Sequence, residues 1–485
     1  MPSSMVMWLF GLPLAASAVL FTLPVNEKRT LKSLAVFFSF VPLLMLLATP
    51  GSGEGSNSSH DWFPAMSIQF ALGIDSLSLI FVYLTALVVP ITILAADRDI
   101  PHPHLFYGLI LFLQGLLIGF FTSSDLLFFT IFWESMLLPL YFIISLWGGA
   151  KRRTAALKFI LYMFAGSILM IAAVLALYLA SVEAGAPTFN IEQLASFAHS
   201  SPYAKWLAAF FLLAFAVKIP LFPFHGWLPE TYFQASTSGT VLLSALLSKA
   251  GVYGILRICL GLFPDVINEW SPWLLGLAIA GVMYGALAAW KQSDFKRLLA
   301  YSSFSHVNFL LVGLFISSEA AREGAILQAV NHGITITALF LSAGWLAERI
   351  GTTDIGPERG LARYMPRLCW VTLFFVLSSA ALPGTNNFVG ELLIFFGLFS
   401  LYPWLTGFLG LIIILSVVYL LRWMQKVYFE DPGVYQERWV DLTRKELVIA
   451  IPLIGLILWI GLYPMGVLKH IEPTVEKIAF LKGAP

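Results

Sequence analysis

The chain has 485 residues, 59% of them hydrophobic and only 11% charged, against roughly a quarter charged in an ordinary soluble domain. A net charge of +1, with no basic patch interleaved with aromatics, excludes a nucleic-acid-binding surface and leaves an all-α polytopic membrane protein whose partners are lipid and other membrane subunits. Two cysteines, Cys259 and Cys369, stand far apart with no CxxC and no metal-type His/Cys spacing, so both read as buried packing residues.

Crossing the hydrocarbon core takes about 20 apolar residues. On that length the sequence predicts fourteen spans, at 5–24, 33–49, 75–96, 105–122, 125–147, 157–182, 204–234, 236–262, 271–290, 297–317, 323–347, 368–400, 403–428 and 446–466. Ala16-Ser17-Ala18 imitates a signal cleavage site, but no basic residue precedes the first run while Lys28, Arg29 and Lys32 follow it. That charge order is the reverse of a signal peptide's, so the run is expected to stay as the first span. Asp75 in Gly73-Ile74-Asp75-Ser76 is the expected N-cap of the third span.

Six ionisable residues lie deep in these runs: Glu134, Lys218, Lys249, His306, His332 and Glu391. A charge at the bilayer centre costs at least ~2.5 kcal/mol, so such residues are functional candidates by default. Glu134 lies nine residues into the fifth span, about 14 Å deep at 1.5 Å per residue. Lys218 reaches a comparable depth in the seventh span, just before Pro220, Pro223 and Pro229. Each proline removes a backbone donor, so a continuous helix is excluded there. A Glu134/Lys218 pair would keep both groups charged until something disturbs it. A static brace between two helices is the plainer alternative, although buried ion pairs stabilise poorly. His225, at the cytoplasmic edge of the break, is a candidate entry group.

Lys249 in the eighth span follows Ser244 and Ser248 and has no acid within one turn, so it needs a distant partner or water. Unlike arginine, a buried lysine can give up its proton. Arg257, two turns on, is expected to snorkel outward. His306 in the tenth span sits among Ser302, Ser303, Ser305 and Asn308, and His332 in the eleventh among Asn331, Thr335 and Thr337. Imidazoles in a polar seam suit proton relay. The twelfth span is interrupted at Pro383-Gly384-Thr385-Asn386-Asn387 and resumes through Gly390-Glu391. There Glu391 is expected at a helix N-terminus, either as a proton outlet or as a simple cap.

Two broken spans five apart, with Ser124-Asp125 and Ser293-Asp294 opening spans five and ten, suggest an inverted repeat of spans 4–8 and 9–13. The divisions are then 1–104 (spans 1–3), 105–262 and 271–428 (two half-channel repeats), and 446–485 (the last span and a tail). Loops after odd-numbered spans carry 20 of the 28 basic residues, Arg98, Arg359 and Arg438 among them. Basic loops stay cytoplasmic, which puts both termini on the periplasmic side of a bacterial inner membrane.

These segments resemble the antiporter-like subunits of respiratory complex I. The likeness is carried by Phe132-Trp133-Glu134 followed by Leu138-Pro139, by Lys218-Ile219-Pro220-Leu221-Phe222-Pro223-Phe224-His225-Gly226-Trp227-Leu228-Pro229, by Leu247-Ser248-Lys249-Ala250-Gly251-Val252-Tyr253-Gly254, by Asp294-Phe295-Lys296-Arg297-Leu298-Leu299-Ala300-Tyr301-Ser302-Ser303, and by Phe388-Val389-Gly390-Glu391. It covers nearly the whole chain. One departure is at Glu230–Gly239, where the family more often has an Ala-Pro-Thr-like turn. The resemblance implies a fourteen-helix proton channel in which Glu134 pairs with Lys218, Lys249 is central and Glu391 terminal, with His306 and His332 on the connecting axis. Glutamate rather than lysine at 391, and no room for a long lateral helix after the last span, resemble the M-type branch rather than its L- and N-type neighbours, which are the implied partners. No CxxC, P-loop, nucleotide-binding GxGxxG or haem pattern is present, so the chain is expected to hold no cofactor or metal; FMN, iron–sulfur clusters and quinone are expected in other subunits. A cation/proton antiporter subunit, a membrane-bound hydrogenase subunit and a plain scaffold are the competing readings.

Overall fold

The computed structural model describes residues 3–24, 28–49, 56–97, 99–356, 360–431 and 439–483. Arg98, Arg359 and Arg438, counted above with the cytoplasmic loops, lie outside the described residues. The helices are α1 (Ser3–Thr22), α2 (Lys28–Ala48), α3 (Ser76–Ala95), α4 (Pro103–Thr122), α5 (Leu126–Trp147), α6 (Arg152–Glu183), α7 (Ile191–Ser200), α8 (Ala204–Lys218), α9 (Leu228–Gln234), α10 (Thr237–Leu262), α11 (Pro264–Trp290), α12 (Phe295–Phe315), α13 (Glu319–Ile350), α14 (Pro366–Ser379), α15 (Asn386–Leu401), α16 (Pro403–Phe429), α17 (Arg444–Leu462) and α18 (Met465–Gly483). Among the described residues twelve helices are long and apolar enough to cross a membrane. The two remaining spans are the interrupted ones, α8 with α9 and α14 with α15. The protein is therefore a multi-pass membrane bundle of fourteen spans, as the hydropathy predicts.

Three elements were not predicted. An antiparallel hairpin, β1 (Ser56–Phe63) and β2 (Ile68–Ile74), pairs Ser56 with Ile74 and folds against α5 through Trp62 and Phe70 on Phe128. The short α7 is capped by Asn190, whose side chain accepts from Glu192 and Gln193 amides. The expected tail beyond residue 466 is the helix α18, which packs on α13 and α3. The cap at Asp75 is as expected: it accepts from the Ser78 amide at 2.8 Å. Arg257 does not snorkel. Its guanidinium donates to Asp75 Oδ2 at 2.5 Å and to the Tyr253 hydroxyl at 3.2 Å, because a carboxylate within reach satisfies it better than a long climb to water.

The two Ser-Asp pairs occupy matching places. Asp125 accepts from the Leu127 and Phe128 amides to cap α5, and Asp294 accepts from the Arg297 amide to cap α12. Each also lies in a short antiparallel bridge to the segment after the following helix, Asp125 with Asn190 and Asp294 with Asp354. Backbone bonds frame both bridges: Leu126 N–H to Phe189 O (2.8 Å) and Ile191 N–H to Ser124 O (3.0 Å) in one, Phe295 N–H to Thr353 O (2.9 Å) and Ile355 N–H to Ser293 O (2.7 Å) in the other. Burial pushes both carboxyls up, that of Asp125 to about 6, against the pull of the amides they accept from. Spans five and ten cross in opposite senses, so the same device recurs at opposite ends of the bundle.

Helices α10, α12 and α13 form the middle and are buried almost throughout, whereas α6, α16 and α17 expose long apolar faces. Polar residues on the three central helices are consequently shielded from lipid. Where α13 ends, Arg349 donates to both Glu446 oxygens, at 2.9 and 2.7 Å, while Glu446 completes a capping box with Thr443 on α17. Removing one member of such a buried pair typically costs ~3–5 kcal/mol, and replacing both with apolar residues costs far less. Arg349→Met should therefore lower the thermal stability of the purified protein sharply, and Arg349→Met with Glu446→Leu should recover most of the loss; equal melting losses for the single and double variants would show that the pair is incidental.

Candidate functional site

Lys218 is the last residue of α8 and is 1% exposed. Its ammonium donates to the Trp133 carbonyl at 3.0 Å and lies 3.3 Å from the centroid of the Trp133 ring, a cation–π contact on a desolvated indole. The indole N–H donates to Ser167 Oγ at 3.1 Å, which fixes the ring under the lysine. The expected closed Glu134/Lys218 ion pair is not formed. Consecutive helical residues point about 100° apart, so a lysine seated on the backbone and ring of residue 133 does not also reach the carboxylate of 134. Both Glu134 oxygens are buried without a hydrogen-bond partner.

The break after Lys218 is held from α12. Asn308 is fully buried; its amide donates to Pro220 O at 3.1 Å, and its Oδ1 accepts from the Phe222 amide at 3.4 Å. One side chain thus supplies a donor to Pro220 O and an acceptor to the Phe222 N–H where the prolines interrupt the helix ladder. His225 faces aromatic rings, with centroids 5.6 Å from Phe222, 4.8 Å from Tyr284 and 4.5 Å from Phe304, and its Nδ1 has no partner.

Lys249 lies between two π-helical turns of α10, Leu243–Leu247 and Ile255–Cys259, local widenings that recur at functional positions. Its Nζ is 2.6 Å from His332 Nδ1 and donates to Ser244 O at 2.7 Å. An ammonium has only donors, so with charged Lys249 the Nδ1 of His332 accepts and the imidazole proton sits on Nε2. On the adjoining helices His306 Nδ1 lies 3.3 Å from Glu391 Oε1, and Gln328 Nε2 donates to the same oxygen at 3.2 Å. The two imidazole centroids are 6.3 Å apart, and both Nε2 atoms are buried without a partner. Between them is a cavity of about 10 Å³ lined by both histidines, Ser302, Ser303, Gln328 and Asn387, about the space of a single water molecule. Lys249, His332, His306 and Glu391, from four separate spans, therefore form one line with a water-sized gap in the middle.

Glu391 is not at a helix N-terminus. The helix α15 begins five residues earlier at Asn386, and Glu391 lies in its second turn, 3% exposed. The interrupting Asn386 is helical because its own side chain replaces the missing ladder: Oδ1 accepts from Ser378 Oγ at 2.9 Å, and Nδ2 donates to Asn331 O at 3.2 Å while Asn331 Nδ2 returns a bond to Asn386 O at 2.7 Å. Gly390 lets α13 come close; a Cβ there would collide with Gln328, the residue that bonds Glu391.

Three members of the site escaped the sequence reading. Trp133 was quoted only as a neighbour of Glu134, and Asn386 only as a helix breaker. Gln328 carried a signal, because it precedes His332 by one helical turn and shares its face. Among the described residues no group of His, Cys, Asp and Glu could hold a metal ion. The cysteines are free and buried.

Comparison with known proteins gives the family. Residues 123–418 match the family described as NADH:quinone oxidoreductase/Mrp antiporter, transmembrane. NADH-quinone oxidoreductase subunit M of Mycobacterium tuberculosis is 33% identical over 515 aligned residues, covering 97% of this chain and 93% of that one. The Escherichia coli subunit M is 38% identical over 426 residues, 86% of this chain and 84% of its own length. A chain in the structure of respiratory complex I from Thermus thermophilus with bound NADH superimposes with a TM-score of 0.90 at 33% identity, covering 99% of this chain and all of that chain.

An experimental map that resolves solvent should place an ordered water in the cavity within hydrogen-bond reach of an imidazole Nε2. A dry cavity, or a water bonded to neither histidine, would break the line between Lys249 and Glu391.

Proposed function

This chain belongs to the NADH:quinone oxidoreductase/Mrp antiporter membrane family, and we propose that it is an M-type proton-translocating subunit of an NADH:quinone oxidoreductase, respiratory complex I, working as a non-redox translocase. The observation that carries this reading is the line of titratable groups across four central spans, Lys249–His332 at 2.6 Å and His306–Glu391 at 3.3 Å with a water-sized cavity between. The relay uses both nitrogens of each ring. His332 takes a proton from Lys249 on Nδ1 and releases one from Nε2 to the cavity water. His306 takes that proton on Nε2 and passes the one on Nδ1 to Glu391. Each imidazole is left in the opposite tautomer and must reset by rotation or by reprotonation, which makes the line a gated relay rather than an open wire.

In the first repeat, Lys218 on its indole and the unpartnered Glu134 make a pair poised to close, and closure would change the field felt by Lys249. His225 stands at the broken segment's edge as the entry group. The two half-channels correspond to 105–262 and 271–428, a division supported by the matching Ser-Asp bridges. Cytoplasmic basic loops and periplasmic termini in a bacterial inner membrane follow from the charge distribution. FMN, iron–sulfur clusters and quinone are assigned to other subunits, and L- and N-type subunits are the membrane partners.

Lys249→Ala should slow proton transfer through this chain at least about 100-fold, the lower end of what a positioned proton-transfer group contributes, and so lower protons pumped per electron, while the complex still assembles. Proton uptake by vesicles and complex content are measured together; normal pumping by an assembled variant removes Lys249 from the route, and sodium-driven transport without NADH oxidation would favour a cation/proton antiporter instead. Glu391→Asp should keep part of the activity and Glu391→Gln should not, because the amide keeps the hydrogen bonds to Gln328 and His306 but cannot take a proton. Equal pumping by Glu391→Gln and the unmodified chain would make Glu391 a structural anchor.

A further inference from the structure

At the basic end of the bundle, α11 and α16 lie side by side and their last turns open into a cavity of about 610 Å³, within the range of small-molecule pockets. Lys291, Arg422 and Lys426 line it, with Asp354 the one acid on its wall. Lys291 and Arg422 are exposed and Lys426 half-buried, and among the described residues none of the three cations is paired with a carboxylate. Trp423, 1% exposed, also lines the cavity, and its indole N–H has no acceptor. An oxygen-rich anion in the cavity would neutralise the surplus positive charge.

The surfaces above the cavity identify the kind of anion. On α11, Met283, Leu287 and Trp290 are 41, 47 and 43% exposed at helical spacing, and Trp290 reaches the cavity wall. On α16, Leu411, Ile414, Val418 and Leu421 make a second exposed apolar stripe that ends beside Arg422. A free phosphate has no use for these faces, whereas acyl chains do. We infer that this groove binds an anionic glycerophospholipid, its phosphate among Lys291, Arg422 and Lys426, its chains on the apolar stripes of α11 and α16. With the basic loops cytoplasmic, the lipid belongs to the cytoplasmic leaflet, where basic pockets between helix ends hold anionic headgroups.

The test uses the chain in the assembly purified from its own membrane, with the unmodified sequence or with Lys291→Gln, Arg422→Gln and Lys426→Gln together, exchanged into nanodiscs of phosphatidylcholine with or without phosphatidylglycerol. Bound lipid is counted by native mass spectrometry. The unmodified chain should retain phosphatidylglycerol over phosphatidylcholine, and the triple variant should lose that preference on the order of 100-fold. The charge-conserving set Lys291→Arg, Arg422→Lys and Lys426→Arg should retain it, which separates charge from disturbance of the surface. Equal retention by the unmodified chain and the triple glutamine variant overturns the inference. So does displacement of the bound lipid by inorganic phosphate alone, which would mean a free-phosphate site, or a map of the assembly with a helix of another subunit seated in the groove.

Discussion

Lipid cannot hydrogen-bond the backbone of a helix inside a bilayer, so the donors and acceptors freed by a break need partners from protein or from internal water. The two interrupted spans meet this constraint in the same way, with an asparagine. Asn308 on α12 serves the break after Lys218, and Asn386 exchanges amide bonds with Asn331 of α13 at the second break. Both solutions pull an interrupted span onto a central helix. Because α12 and α13 also carry His306 and His332, the bonds that make the breaks tolerable bring the imidazoles between Lys249 and Glu391.

Some buried polar groups are satisfied across the bundle and others are not. Arg257 with Asp75, Arg349 with Glu446, and Asn308 and Asn386 at the breaks are engaged, and each joins elements distant in sequence. By contrast, both Glu134 oxygens and the Nε2 atoms of His306 and His332 are buried with nothing bonded to them. Groups of this kind are costly and few in folded proteins. Such atoms also occur away from the titratable residues, on Gln114, Tyr232 and Ser342 among others, so an unmet hydrogen bond alone does not separate the line from the scaffold.

The inverted repeat depends on local chemistry that recurs without sequence identity. Ser-Asp opens both spans five and ten because the aspartate caps the first turn while the flanking backbone pairs with the segment returning after the next helix. The breaks are not copies. One uses prolines and is pinned by a remote side chain; the other uses Pro-Gly and asparagines that join the helix themselves. Two halves with the same course but differently restrained breaks can respond differently to the same disturbance.

Fourteen spans, the two interruptions, the cap at Asp75, the Ser-Asp openings of spans five and ten, and the six intramembrane ionisable residues were all legible in the sequence, because hydropathy, proline and capping act over a few neighbouring residues. The hairpin at 56–74 and α18 were not, since both are stabilised by packing on distant helices rather than by their own composition. Partnership was the other thing only the tertiary structure decided. Proximity of Glu134 and Lys218 in depth suggested a closed pair, yet the lysine rests on Trp133; Glu391 after Gly390 suggested a helix start, yet it sits in the second turn against Gln328 and His306. Depth along a span can be counted from the chain, but the direction in which a side chain points at that depth is set by how the helices rotate against one another, and that rotation is fixed by contacts between residues far apart in sequence.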